Sequence, residues 1–436
     1  MPIESWQTSN PAFRSEFDDY LQRLRAQGGG AAPRQQQRVD DIIERVRDDG
    51  DEAVLELTRR FDDCDLSADQ LRVDPREAES ALDELDPDLL DALELSAQRI
   101  RKYQNHLLPP DRPAMQEDGR TLDVKITPVR SAGIYVPGGG ASLASSVLMN
   151  AIPAEVAGVE RIVMATPPGP DGSITPDRLA AARLAGVDEI YRVGGAQAIA
   201  AFAHGTETIP AVDFIAGPGN IYVALAKKRL YGQVGIDLVG GPSEVTIIAD
   251  HTASAECVAA DMIAQAEHDP GSAVLLSTEE SLTSDVREAL DEQLDELPTG
   301  ETARGWLEEF GALVTARDLE ECVELTDELA PEHLEIMTEH PREVAEDIHH
   351  AGAIFLGTST PVAVGDYIAG PSHVLPTGGT ARFSSGLNVN HFLRRTGVME
   401  YSASALAEDA EPLCRLAEIE GLHAHAESVR RRTETE

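Results

Sequence analysis

The sequence predicts an α/β protein with two incomplete, Rossmann-like doubly wound domains and small helical segments at either end. Three observations carry this. Short, continuous apolar runs recur from the middle of the chain onward, at residues 161–165, 189–193, 213–216 and 244–249, then at 272–276, 312–315, 333–337 and 353–356. Helix-length segments separate them, as parallel sheets covered on both faces require. The runs also fall into two blocks, 136–242 and 243–385, with a break at the Gly240-Gly241-Pro242 turn.

The first third reads as helical. Val39, Ile42, Ile43 and Val46 follow the i, i+3, i+4, i+7 stripe, and Gly50 stands where a C-cap would close it. A second long helix is predicted from Asp86 to Tyr103, stopped by Pro109-Pro110. The character changes near residue 122, where the alternating array begins. After residue 400 the chain turns helical and acidic again and ends in RRRTETE.

With 436 residues, the chain is long enough for two to four domains at roughly 100–200 residues each. Its 77 acidic and 36 basic residues give a formal charge of −41, which excludes nucleic acid and anionic membrane surfaces as partners. Hydrophobic residues make up 42%, enough to sustain a core, so the charge reads as a solvated shell. The only lysines are Lys102, Lys125, Lys227 and Lys228. Such a carboxylate-rich surface suits a salt-loaded cytosol, where a Debye length of about 3 Å at 1 M salt screens self-repulsion; in dilute buffer the fold is expected to weaken.

Cys64, Cys257, Cys322 and Cys414 form no C-x-x-C pair, so neither a thiolate zinc site nor a disulfide framework is suggested. The N-terminal stretch has no basic, apolar leader, and no apolar run approaches the roughly 20 residues that span a bilayer. A cytoplasmic, soluble protein is expected.

Two glycine-rich turns could approach an anion through backbone N–H groups: Pro137-Gly138-Gly139-Gly140 after GIYV, and the turn around Gly217, Gly219 and Asn220. Neither matches G-x-G-x-x-G, and tight βα turns account for them equally well. Gln197 falls in the first turn of a helix directly after a strand, where an amide can read a ligand or cap the turn. Ser243 stands just before a strand and reads as a turn residue.

Gln265 and His268 are three apart on a predicted helix ending before Pro270. At that spacing an amide oxygen and an imidazole can share a metal ion, while a solvated helix end explains the pair as simply. Glu332 and His333 are adjacent before an apolar strand, a carboxylate and imidazole suited to acid-base work near neutral pH. Because strand neighbours face opposite sides, they can share a site only if the backbone at Pro331 to His333 is irregular or lies at the strand's edge. Asp366 and His373 lie in a Gly- and Pro-rich loop, Asp366 as a hard ligand, His373 as a substrate contact or loop anchor. Glu420, His423 and His425 lie in the C-terminal helical segment, where the two histidines diverge.

At these residues the chain resembles the histidinol dehydrogenase family, from about residue 30 to 430. GIYVPGG, GGAQAIAA, GPGN, GPSE, QAEHDP, APEHL, GDYIAGPSHVLPT and EGLHAH occur in that order. The resemblance implies oxidation of L-histidinol through L-histidinaldehyde to L-histidine, ending histidine biosynthesis, with two NAD and a bound Zn2+. It implies a sheet architecture like that of aldehyde dehydrogenases. The implied division is an N-terminal segment 1–27, a zinc and catalytic domain of 28–135 with 243–385, an NAD-side domain 136–242, and a dimerisation segment 386–436.

Carried over by position, the resemblance makes Gln265, His268, Asp366 and His425 the zinc ligands, and Glu332 and His333 the acid-base pair. Ser243, Glu420 and His333 would contact substrate together with the ligands, and Tyr135, Gln197 and Asn220 would hold NAD. Zinc would hold the substrate's imidazole and amino nitrogens; His333 would take the hydroxyl proton, and Glu332 would activate water against the aldehyde. The resemblance also implies a homodimer in which Glu420 and His425 complete the other subunit's site. No cysteine lies within these motifs, the nearest being Cys257, so water attack is favoured over a thiohemiacetal. The departures are the acidity and a longer linker at TPPGPDGSITPDR. A zinc hydrolase based on Glu332 would need no NAD, and an acidic metal-storage protein would turn nothing over; neither accounts for the NAD-side turns.

Overall fold

The computed structural model describes residues 1–29, 32–138 and 143–433. Gly139 and Gly140 of the first glycine-rich turn, and the end of the polar tail, lie outside the described residues. Two compact units result, one of Met1–Leu107 and Arg130–Phe392, the other of Leu108–Val129 and Leu393–Glu436.

Numbered along the chain, the strands begin with β1 (Glu4–Gln7), β2 (Met115–Glu117), β3 (Arg120–Pro128), β4 (Ser131–Tyr135) and β5 (Arg161–Thr166). Next come β6 (Glu189–Arg192), β7 (Phe214–Ala216), β8 (Gly235–Ile236), β9 (Ser243–Ala249) and β10 (Gly271–Ser277). The last are β11 (Gly311–Thr315), β12 (His333–Met337), β13 (Ala353–Leu356) and β14 (Leu393–Tyr401).

The first unit holds two wholly parallel sheets, ordered β1-β11-β10-β9-β12-β13 and β6-β5-β4-β7-β8. Both are doubly wound, as the apolar runs predict. From β9 the chain proceeds outward through β10 and β11, then crosses back to β12 and β13. One face packs Ile247, Leu275 and Met337 with Met262 and Val286 of the covering helices; the other packs Ile248, Leu334 and Ile336 with Phe17 and Leu325. Burial on both faces explains why these strands read as continuous apolar runs rather than alternating ones.

Several elements differ from the sequence reading. The N-terminal segment contributes a strand as well as the helix Phe13–Gly29: β1 pairs parallel with β11 at the sheet edge. Glu-Ser-Trp-Gln carries too little apolar signal to announce this. The stripe Val39, Ile42, Ile43 and Val46 packs into the core of the five-stranded sheet beside Tyr135, Ile199 and Phe202, not into the 243–385 sheet with which residues 28–135 were grouped. β4 likewise belongs to the five-stranded sheet, so that sheet begins before residue 136.

Gly50 ends the first helical run with φ +54, but helix resumes at once, giving a kinked element Pro33–Phe61. Glu207 caps the resumed part by accepting from the Asp51 N–H at 2.8 Å. The next long helix is Pro87–His106, with Asp86 as its N-cap, so it runs slightly past Tyr103.

The second unit contains an antiparallel sheet ordered β14-β3-β2 and the helices Ala403–Ile419 and His423–Thr433. The C-terminal segment is therefore part strand. Arg120 ties sheet to helix through Asp409 at 2.7 Å and Glu408 at 2.9 Å. Among the described residues no helix is long and apolar enough to cross a membrane.

Candidate active site

The first cluster forms at the amino ends of β9 and β12. Ala330 closes the preceding helix with φ +50, which turns the chain so that Glu332 stands just ahead of β12 and His333 opens it. This is the backbone irregularity that lets adjacent residues share one site. The main chain of Glu244, on the neighbouring strand, holds both: its N–H donates to Glu332 Oε2 at 3.0 Å, and its carbonyl lies 3.1 Å from His333 Nδ1. A carbonyl only accepts, so Nδ1 carries the proton and Nε2 presents its lone pair. Nε2 is buried without a hydrogen-bond partner.

Both side chains are buried, and burial sets their protonation. Enclosure drives Glu332 well above the usual carboxylate range, opposed by the Glu244 N–H and by a hydrogen bond from Ser243. Burial pushes His333 down to about 3. Two acceptors flank the imidazole, Glu332 Oε2 at 3.5 Å from Nδ1 and Asp366 Oδ1 at 3.8 Å from Nε2.

Asp366 lies on the short helix Val362–Tyr367, and burial pushes it up to about 6. The His373 Nδ1 donates to the Asp366 carbonyl at 3.1 Å, and His373 Nε2 meets Ser146 Oγ at 3.2 Å. Both ring nitrogens are thus used within the fold, and His373 anchors the loop. Ser372 adds a bond to the Met149 carbonyl at 3.2 Å, so the loop is fastened to the helix Ala144–Ala157 that follows the first glycine-rich turn.

Gln265 and His268 require a correction. The helix ends at Ala266, and His268 stands beyond it on exposed chain, so the two do not project from one helical face as their spacing predicted. His268 nevertheless sits near His333 and His373; burial above all, and His268 to a lesser degree, hold both imidazoles below the usual range. Gln265 is buried with its amide nitrogen unpartnered, an unmade hydrogen bond that marks a place for a ligand. Among the described residues no group of three or more His, Cys, Asp and Glu side chains could hold a metal ion. Gln265, His268 and Asp366 offer an amide oxygen, an imidazole nitrogen and a carboxylate, donor types that zinc accepts. Glu420 and His425 belong to the second unit, and both are exposed there.

The NAD-side residues converge independently. Tyr135, Gln197 and Asn220 all line one cleft of about 550 Å3, with Arg38, Asp62 and Gly138. It opens at the carboxyl ends of β4 and β7, where strand order reverses, the usual ligand position in doubly wound sheets. Tyr135 accepts from the Gly195 N–H at 3.0 Å, Gln197 is buried with its amide nitrogen free, and Asn220 caps the helix Ile221–Leu230. Gly217, at φ +125, cannot carry a side chain here: a Cβ would lie 2.0 Å from the Tyr135 carbonyl oxygen.

Sequence reading missed Glu244, whose main chain positions Glu332 and His333, and Ser146, which fixes His373. For Glu244 a signal existed: a charged residue opening a strand buried on both faces.

The sequence model of the histidinol dehydrogenase family matches residues 27–433. A histidinol dehydrogenase of Prochlorococcus marinus (strain MIT 9313) is 52% identical over 385 residues, covering 88% of this chain and 87% of that protein. One from Thermosynechococcus vestitus (strain NIES-2133 / IAM M-273 / BP-1) is 50% identical over 404 residues, covering 92% and 94%. The crystal structure of histidinol dehydrogenase from Elizabethkingia anophelis superposes with a TM-score of 0.93 at 33% identity, covering 99% of this chain and 98% of that one.

Proposed function

This chain belongs to the histidinol dehydrogenase family, and on that premise we propose that it takes L-histidinol through L-histidinaldehyde to L-histidine with two NAD and one zinc ion per subunit. The observation that carries the reading is the buried Glu332–His333 pair, held by one backbone unit, with a free imidazole lone pair.

Gln265, His268 and Asp366 would hold zinc together with His425 from a second copy, a set of two nitrogens and two oxygens. Held there, zinc would supply orientation of the substrate, and NAD would supply the hydride acceptor. The chain's own residues move the protons. His333 Nε2 would accept the hydroxyl proton while the Glu244 carbonyl holds the Nδ1 proton, and Asp366, 3.8 Å from Nε2, is the carboxylate beside the imidazolium so formed. In the second oxidation Glu332 takes a proton from the water that attacks the aldehyde; burial raises its basicity for that task. Ser243 and the Glu244 N–H keep the carboxylate aimed.

A thiol route is not supported by the geometry. Cys257 stands in the first turn of Ala255–Ala266, eight residues before Gln265 and thus about 12 Å back along the helix. The dimer reading draws support from the second unit, which exposes Val398, Met399, Leu416 and Ile419, apolar surface that a second copy would cover. The acidic shell supports work in a salt-loaded cytoplasm. Dialysis against a chelator, then zinc, tests the reading: NADH formation from L-histidinol should vanish and return, and activity indifferent to the chelator would refute the zinc assignment.

A further inference from the structure

A buried acidic pair outside the catalytic residues connects the elements that carry them. Glu335 is 1% exposed in the middle of β12, level with Ile247 and Phe355 of the flanking strands, both members of the apolar cluster. Its Oε1 accepts from the Val362 N–H at 2.9 Å. Its Oε2 is buried with no hydrogen-bond partner, and the carboxyl of Asp261 is the titratable group beside the Glu335 carboxyl. Two carboxylates bond each other only when one carries a proton.

The positions of these partners are specific. Glu335 is two residues after His333, on the same face of β12. Asp261 lies one helical turn before Gln265, on the same helical face. Val362 begins the short helix that carries Asp366 four residues on. From the strand that His333 opens, Glu335 therefore meets the helix that carries Asp261 and Gln265 and the helix that carries Val362 and Asp366. A charged group in an apolar cluster is costly, and nothing in the core itself calls for it.

We propose that the Asp261–Glu335 pair, sharing one proton, is a positioning device that sets Gln265 and Asp366 relative to His333 for metal and substrate binding. This rests on the zinc reading above and deepens it. The pair touches no reacting atom. Burial holds the proton in place, pushing Glu335 up to about 9 and raising Asp261 as well.

The test separates positioning from bulk stability. Glu335→Leu substitutes an apolar group of similar size but loses both contacts and leaves Asp261 and the Val362 N–H without a partner, so its fold is verified by circular dichroism before binding is read. Glu335→Gln keeps an oxygen for the Val362 N–H and offers Asp261 an N–H. In full-length protein at high salt, zinc titration of chelator-treated samples should show Glu335→Leu folded but about 10- to 100-fold weaker for zinc, the range for outer-shell partners. The KM for L-histidinol should rise in the same variant while the KM for NAD stays put. Glu335→Gln should restore both within a few-fold. A well-folded Glu335→Leu protein with wild-type zinc affinity and KM would overturn the proposal and leave the zinc reading standing. A wild-type protein that binds no zinc would overturn both.

Discussion

His333 Nδ1 donates to the main-chain oxygen of Glu244 at 3.1 Å, which fixes the tautomer and leaves Nε2 as the basic atom. The same peptide unit steers Glu332 through its N–H. One strand therefore orients both side chains through main-chain bonds.

His333→Asn tests the free lone pair. The shorter amide can still donate to the Glu244 carbonyl but offers no base. Alcohol oxidation should fall by about 10²–10⁴ in kcat, with KM for L-histidinol little changed. A variant within a few-fold of wild type would remove His333 from the proton path.

Glu332→Gln retains the shape and an acceptor for the Glu244 N–H while abolishing the carboxylate. Oxidation of L-histidinaldehyde should fall by at least as much as general-base catalysis supplies, about 10²-fold, and that of L-histidinol by much less. Equal losses in both half-reactions, followed separately, would count against Glu332 as the water-activating base.

Gly217→Ala addresses the NAD side. The backbone at φ +125 and the Cβ position 2.0 Å from the Tyr135 oxygen force the turn to move. Stability should drop by about 1–3 kcal/mol, and KM for NAD should rise while zinc content is unchanged. Unaltered NAD kinetics would show that the turn does not shape the cleft.

A pH-dependent prediction follows from Glu335. Its ordinary value of 4.5 is raised to about 9 in the fold, with Asp261 the titratable neighbour acting on it. Between those values the native state binds more protons than the unfolded chain, so this group's contribution shrinks as pH rises, by up to about 1.4 kcal/mol per unit. Glutamine does not titrate. The Tm advantage of Glu335→Gln over wild type should therefore widen from pH 5 to pH 9 at constant salt, and parallel Tm curves would contradict a shared proton.

Much of this was legible in the residues. Runs such as Arg161–Thr166 and Gly271–Ser277 announce strands because burial on both faces leaves their middles apolar. Asp86 and Gly50 mark helix ends through cap chemistry. β14 is not legible, since it is largely exposed and its alternation of polar and apolar residues is weak, whereas β3 does carry a strand signal in Leu122, Val124 and Ile126 alternating with Thr121, Asp123 and Lys125. The placement of His268 was missed because helical spacing says nothing about where the last turn stops. Tyr135, Gln197 and Asn220 come from three separate strand-to-helix turns, and only folding of the sheet shows that they line one cleft. Glu335 sat visibly in an apolar strand, but its partner Asp261 is 74 residues away in sequence, beyond any local pattern.

The central claim is a four-electron oxidation at one site. NADH formed per L-histidinol consumed, measured to completion in high-salt buffer with zinc present, tests it most directly. The account predicts two NADH per substrate. One NADH per substrate, with L-histidinaldehyde accumulating, would contradict it and remove Glu332 from its assigned role.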